Sequence, residues 1–121
     1  MNLSTVTPVL RIFDETMARE FYVEFLGFSV DWEHRFGDDY PLYMGISRND
    51  CRIHLSEHHG DATPGAAVRI STDDVQVYNR ELLGKGYKYA RPGVESTPWE
   101  TLEMMVTDPF GNRLTFYEIS D

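Results

Sequence analysis

DETMAREFYVEFLGF, residues Asp14 to Phe28, carries its own start and stop signals. Asp14 is a residue type that caps helix N-termini, and Gly27 is a type that ends helices. Between them Ala18, Phe21, Tyr22 and Phe25 recur at i, i+3, i+4 and i+7. That spacing is one apolar face of a helix of about 12 residues. DDVQVYNRELLGKGY, Asp73 to Tyr87, repeats the plan 59 positions later, with Asp73-Asp74 opening and Gly86 closing. Val75, Tyr78 and Leu82 form its face. Asp14 to Gly27 and Asp73 to Gly86 both span 13 positions, and an aromatic, Phe28 or Tyr87, follows each glycine.

Strand patterns flank both helices. Val6 to Ile12 alternates ahead of the first; Phe28 to Phe36, Leu42 to Ser47 and Cys51 to Ser56 follow it, separated by turn chemistry at Gly37-Asp38-Asp39 and Asn49-Asp50. Ala66 to Ser71 precedes the second helix. The expectation is an α+β fold, a single domain over residues 1–121 built from two βαβββ modules of about 1–58 and 66–121. HGDATPG at 59–65, rich in turn formers, is the expected linker.

A chain of 121 residues leaves no room for an accessory catalytic domain. Lys and Arg total 11 against 20 Asp and Glu, a formal charge of −9. Phosphate-backbone binding and anionic membrane surfaces need the opposite balance, so neither nucleic acid nor membrane is an expected partner. With 2 Trp, 7 Tyr and 7 Phe the chain is too aromatic for a disordered acidic segment. Cys51 is the sole cysteine and has no internal disulfide partner, which favours a reducing, cytoplasmic setting. In an alternating strand it reads as a small core filler before it reads as a catalytic thiol. No apolar run approaches the ~18 residues of a membrane span, and the N-terminus lacks the order of a secretion signal.

Strand alternation sorts the side chains into two faces. The more apolar parity, which packs under the helices, is Pro8, Leu10, Ile12; Leu42, Met44, Ile46; Ile53, Leu55; Ala66, Val68, Ile70; Leu102, Met104, Val106; and Leu114, Phe116. The other parity presents Thr7, Val9, Arg11, Trp32, His34, Phe36, Tyr43, His54, Ser56, Ala67, Arg69, Thr101, Glu103, Met105, Thr115 and Tyr117. Aromatics mixed with a few polar groups suit a ligand-lined concave surface, with an ordinary exposed sheet face as the plainer reading.

PVL at 8–10, Asp14, EFY and FLGF within 20–28, PW at 98–99 and DPFGN at 108–112 together resemble the vicinal oxygen chelate superfamily. Within it they are most similar to the bleomycin resistance proteins. LGF after a helix and DPxGN before the last strand are superfamily-wide marks, whereas PVL and PW point to the drug-binding branch. The resemblance covers nearly the whole chain. It implies a curved mixed sheet around a cup, helices on the outer face, and a homodimer whose N-terminal strands exchange near Pro8.

Enzymes of that superfamily hold a divalent metal with His, Gln or Glu on four cup-facing strands, so that an open-sided ion can polarise neighbouring substrate oxygens. By motif offset those positions fall at Thr7, His54, near Ala67 and at Thr115. Of the four, His54 alone is a good ligand, and one imidazole does not hold such an ion against water. No metal and no other cofactor is expected, and no catalytic residue is assigned. His54 then reads as a hydrogen-bonding or stacking group in the cup, or as an exposed strand residue. His58 and His59 read as loop histidines beside Gly60. Glu57, Glu103 and Glu118 are too scattered for an acid/base pair.

The resemblance implies an antibiotic-binding protein that sequesters a cationic, planar drug of the bleomycin type in pockets at the dimer interface. Stacking surfaces and negative potential are what such a ligand requires. The candidate ligand-binding residues are Trp32, Phe36, Tyr43, His54, Trp99, Glu103 and Thr115. Trp99 has an alternative role in holding a loop. Phe36 and Tyr40 flank the Gly37-Asp38-Asp39 loop, where the two carboxylates either meet a cation or are simply solvated. Arg11 and Arg69 on the same face need carboxylate partners, and Glu103 is a candidate. The alternatives are a metal-dependent glyoxalase, dioxygenase or thiol transferase, and a ligand sensor unrelated to antibiotics.

Overall fold

A computed structural model describes residues 1–120; Asp121, the end of the second expected module, lies outside them. The chain runs β1 (Val9–Arg11), α1 (Glu15–Arg19), a π-helical segment (Glu20–Phe25), β2 (Ser29–His34), β3 (Tyr43–Arg48) and β4 (Cys51–Ser56). It then repeats with β5 (Ala67–Ser71), α2 (Val75–Gly84), β6 (Val94–Ser96), β7 (Thr101–Thr107) and β8 (Arg113–Ile119). Two four-stranded mixed sheets result, ordered β1-β4-β3-β2 and β5-β8-β7-β6. The first strand of each pairs in parallel with the last, and the remaining neighbours are antiparallel.

Both helices start as their sequences dictate. Asp14 accepts the Met17 N–H at 2.8 Å, and Asp74 accepts that of Val77 at 3.0 Å. The first helix departs from the expected regular α-helix: from Glu20 it widens into π geometry, and Leu26 N–H reaches Phe21 C=O at 2.9 Å. The wider turn brings Phe21, Tyr22, Phe25 and Leu26 all into the core. Gly27 then takes φ +82°, and a Cβ there would meet Arg48 Nη1 at 2.5 Å. Arg48 uses that space to donate to Leu26 C=O at 2.7 Å and to grip both Glu81 oxygens on α2.

Most of the expected inner parity is the core, whereas Pro8, Ala66, Val68, Ile70 and Leu102 are only half-buried. Leu10, Ile12, Leu42, Met44, Ile46, Ile53, Leu55, Met104, Val106, Leu114 and Phe116 are buried, and one cluster joins them to both helices. Strand β1 is shorter than the expected Val6 to Ile12, beginning at Val9. Upstream of it the apolar arm stands in solvent, with Leu3 86% and Val6 87% exposed.

Polar staples tie the halves together. The Asn112 side chain donates to Arg11 C=O at 2.8 Å and accepts from Ala66 N–H at 3.3 Å, spanning from β1 to the start of β5. Tyr22 donates to Asp108 at 2.6 Å, which also accepts the Phe110 and Asn112 amides. Burial, reinforced by that carboxylate, pushes the Tyr22 phenol well above its usual range. Breaking such a buried bond on one side costs about 1–3 kcal/mol. On α2, the Tyr78 hydroxyl donates to Leu26 C=O at 2.7 Å.

Candidate functional site

Cross-strand register arranges the outward faces in rows. On the first sheet Val9, His54, Gly45 and Trp32 form one row, and Arg11, Ser56, Tyr43 and His34 the next. On the second, Arg69, Thr115 and Met105 align, as do Ser71, Tyr117, Glu103 and Glu95.

Three of the candidate residues meet on the first sheet. A register shift between Val30 and Trp32 re-aims the tryptophan, and its indole lies over Gly45, where a Cβ would sit 2.6 Å from the ring. A glycine inside a strand permits this close approach. Trp32 and Tyr43 are parallel within 9° at 5.7 Å, and the His54 ring stands edge-on to both. The Tyr43 hydroxyl and His54 Nδ1 are 2.8 Å apart. When the hydroxyl donates, Nε2–H is the free donor of that imidazole. Burial, with Asp61 adding, raises the Tyr43 phenol, keeping it protonated. Trp32 is 45% exposed, so one side of this surface faces outward.

Phe36 extends the cluster, edge-on to His34 at 4.7 Å and to His58 at 6.2 Å. His58, expected as an ordinary loop residue, also lies 6.3 Å from Tyr43. Ser56, expected to face outward, is instead fully buried: its hydroxyl donates to Asp61 at 2.7 Å and accepts the His58 amide, which ties the loop down.

Trp99, Glu103 and Thr115 occupy the second sheet and its β6–β7 loop. Glu103 accepts from Arg69 Nη2 at 2.6 Å, Thr101 Oγ1 at 2.8 Å and Trp99 Nε1 at 3.0 Å. Arg69 foremost, then Thr101 and Trp99, draws the Glu103 carboxyl down to about 2. The Arg69 guanidinium also lies over Tyr117, 4.6 Å from its centroid. Thr115 stands between Arg69 and Met105 in the register. Among the described residues no carboxylate pairs with Arg11: it stacks on Phe13, and its Nη1 is buried with no hydrogen-bond partner among them. Among the described residues, no hydrogen bond or ring contact joins the Trp32 cluster to the Trp99 cluster.

A groove of about 660 Å³ lies elsewhere, between β1 and β4 on one side and β5 and α2 on the other. Pro8, Ile53, Val68, Ile70, Tyr78 and Phe116 give it apolar walls, and Thr5 and Val6 lie at its rim. Cys51 also lines it; burial pushes its thiol up, away from thiolate chemistry. A second hollow of about 300 Å³ is lined by Asp38, Asp39 and Arg35, and the Arg35 guanidinium pairs with Glu15.

The positions that would hold the metal of superfamily enzymes do not fit one. Ala67 offers no donor atom, Thr7 lies in the exposed arm and Thr115 carries only a neutral hydroxyl, which leaves His54 as the single good ligand of the four. No group of three His, Cys, Asp or Glu side chains among the described residues converges on an ion site.

The family model described as glyoxalase superfamily protein matches residues 1–121. The chain belongs to the glyoxalase superfamily. Its fold is that of the bleomycin-binding members: this glyoxalase superfamily chain shares 27% identity with the bleomycin-binding protein from bleomycin-producing Streptomyces verticillus, solved with copper(II)-bleomycin. That similarity covers 100% of this chain and 98% of the other, with a TM-score of 0.69. A second bleomycin-binding protein complexed with bleomycin matches at 22% identity, covering 96% and 98% of the two chains, with a TM-score of 0.75. TnmS3, an antibiotic binding protein from Streptomyces sp. CB03234, matches at 24%, covering 99% of each, with a TM-score of 0.72. No curated protein matches the sequence. Among the described residues no helix is long and apolar enough to cross a membrane.

The sequence reading of the site missed Gly45. A glycine at the centre of an apolar alternating strand is its signal, because it weakens the strand unless something packs on it. It also missed His58, whose place among the rings depends on the Ser56 turn.

Proposed function

We propose that the chain is a cytoplasmic protein that binds and sequesters a flat aromatic small molecule, of the bleomycin class, without metal chemistry of its own. The outward Trp32–Tyr43 pair carries this reading: two parallel rings within 9°, open on one side, are a stacking surface. The 27% identical relative bound to copper(II)-bleomycin supports the ligand class.

Each pocket takes the Trp32 face from one protomer and the Trp99 face from its partner in a homodimer. Phe36, His54 and Thr115 complete its walls. The exposed arm through Leu3 and Val6 crosses at Pro8 and seats in the 660 Å³ groove of the second copy, where it covers the apolar walls that a lone chain leaves open. Calorimetric titration with metal-free bleomycin tests the ligand. Binding tighter than about 100 μM, near 5.5 kcal/mol, is expected; none at that level overturns the drug assignment. Sedimentation of the chain with and without residues 1–7 tests the arm, and a full-length monomer overturns the dimer.

A further inference from the structure

Glu103 is the one carboxylate among the candidate ligand-binding residues, and the obvious partner for a cationic drug. Its geometry is already spent on the protein. Oε2 receives three donors, Arg69 Nη2, Thr101 Oγ1 and Trp99 Nε1, while Oε1 receives Arg69 Nη1 at 3.3 Å. A carboxylate has about four lone-pair sites in all. The donor set also fixes the Thr101 hydroxyl proton on Glu103, so Thr97 must donate across the 2.7 Å contact between the two threonine hydroxyls.

Trp99 sits at the tip of the loop between β6 and β7, 63% exposed. That loop is closed by its own backbone: Thr97 N–H donates to Thr101 C=O at 2.9 Å, Glu100 N–H to Thr97 C=O at 3.3 Å, and Glu100 takes φ +64°. Backbone bonds thus place the Trp99 Cα and leave the indole free to rotate. The bond from Nε1 to Glu103 is the hydrogen bond that selects one orientation. Arg69 in turn anchors Glu103 and is itself braced on Tyr117.

We propose that Glu103 is a positioning residue that holds the Trp99 indole in its binding orientation, and not the acceptor for a cationic group of the ligand. This rests on the stacking function proposed above. A side chain ordered in advance loses no rotamer entropy on binding, so the benefit appears as affinity. Glu95 provides the control. It is the cross-strand neighbour of Glu103, exposed on the same sheet, and Glu95→Gln changes the charge of this face by the same amount without touching the indole bond.

The test has two readouts. In a Trp32→Phe background Trp99 is the single tryptophan, and its anisotropy and iodide quenching are read without ligand. Glu103→Ala is expected to lower the anisotropy and raise the quenching. Glu103→Gln, which keeps an amide oxygen as acceptor, is expected to fall between, and Glu95→Gln to leave both signals unchanged. In the protein with both tryptophans, Glu103→Ala is expected to weaken metal-free bleomycin by about two- to tenfold, the cost of ordering one side chain. Unchanged Trp99 anisotropy in Glu103→Ala overturns the proposal. So does equal weakening of bleomycin by Glu95→Gln and Glu103→Gln, which marks a charge effect. If bleomycin fails to bind the parent protein, the function reading fails, and the ligand-free anisotropy still decides the role of Glu103.

Discussion

The two sheets share one strand order and one pattern of parallel and antiparallel pairing, yet their outward faces hold a tryptophan in place by different physics. On the first, Trp32 rests where Gly45 has no side chain, beside a parallel Tyr43, and the arrangement is one of shape. On the second, Trp99 is tethered through a carboxylate that an arginine anchors, and the arrangement is one of charge. Tyr43 and Glu103 sit at matching places, on β3 and β7, each outward and each bonded to a neighbour's polar group. A seat made by shape responds to volume and ignores salt, whereas a tether made by charge responds to pH.

Removing the rings themselves breaks the comparison most severely. Trp32→Ala is expected to cost about 2–3 kcal/mol of ligand affinity, as loss of a central aromatic anchor does. Trp99→Ala is expected to cost less, because its ring stands further out in solvent and has no parallel aromatic partner among the described residues. Calorimetry with metal-free bleomycin on both variants checks the order, and the reverse order would make the charge-held face the main one.

Gly45→Ala is the next largest effect. The new Cβ would lie 2.6 Å from the indole, so the half-exposed Trp32 must swing away. Affinity is expected to fall by about 1 kcal/mol, with the Trp32 emission shifted and the melting temperature nearly unchanged. A fall in melting temperature with affinity intact would mean that Trp32 is packing for the fold and not for a ligand.

Acid gives the smallest and most selective effect. The Glu103 carboxyl, held down to about 2 by Arg69, Thr101 and Trp99, lies below its usual value of 4.5. A lowered carboxylate contributes stability that is present above its unfolded value and is lost as pH falls through the folded one. Trp99 emission in the Trp32→Phe background should therefore change between pH 4.5 and about 2, and Glu103→Gln should abolish the change. Trp32 emission in the Trp99→Phe protein should show no matching transition, since among the described residues no carboxylate bonds its ring.

Much of this is legible in the sequence alone. Alternation separated the core from the outward face because burial in a sheet has period two, and Leu10, Met44, Leu55, Met104 and Leu114 all obey it. Asp14 and Asp74 announced both helices through capping chemistry that is local to three residues. What escaped depends on tertiary neighbours. The widened turn from Glu20 to Phe25 follows from four large residues competing for one core, which a helical wheel assuming regular geometry does not register. Ser56 turned inward because Asp61 and the His58 amide wait for it there. Part of the geometry was legible: Trp32, Tyr43 and His54 share the outward face that alternation assigns them, and Glu103 pairs with Arg69. Its further bonds to Trp99 and Thr101 come from a loop whose path no periodicity encodes.

Asn112 bears on how a guest would arrive. One amide side chain bridges β1 and β5, and Arg48 with Glu81 clasps the far side of the same seam. Two halves fastened at both ends do not swing apart like a hinged shell. Molecules that close over a ligand use a few backbone positions to absorb the rotation, and here the seam is crossed by side-chain bonds that such a rotation would have to break. On the proposed stacking function a guest would meet a surface that is already finished, and its arrival would be governed by the stripping of water from open rings and not by the opening of a door.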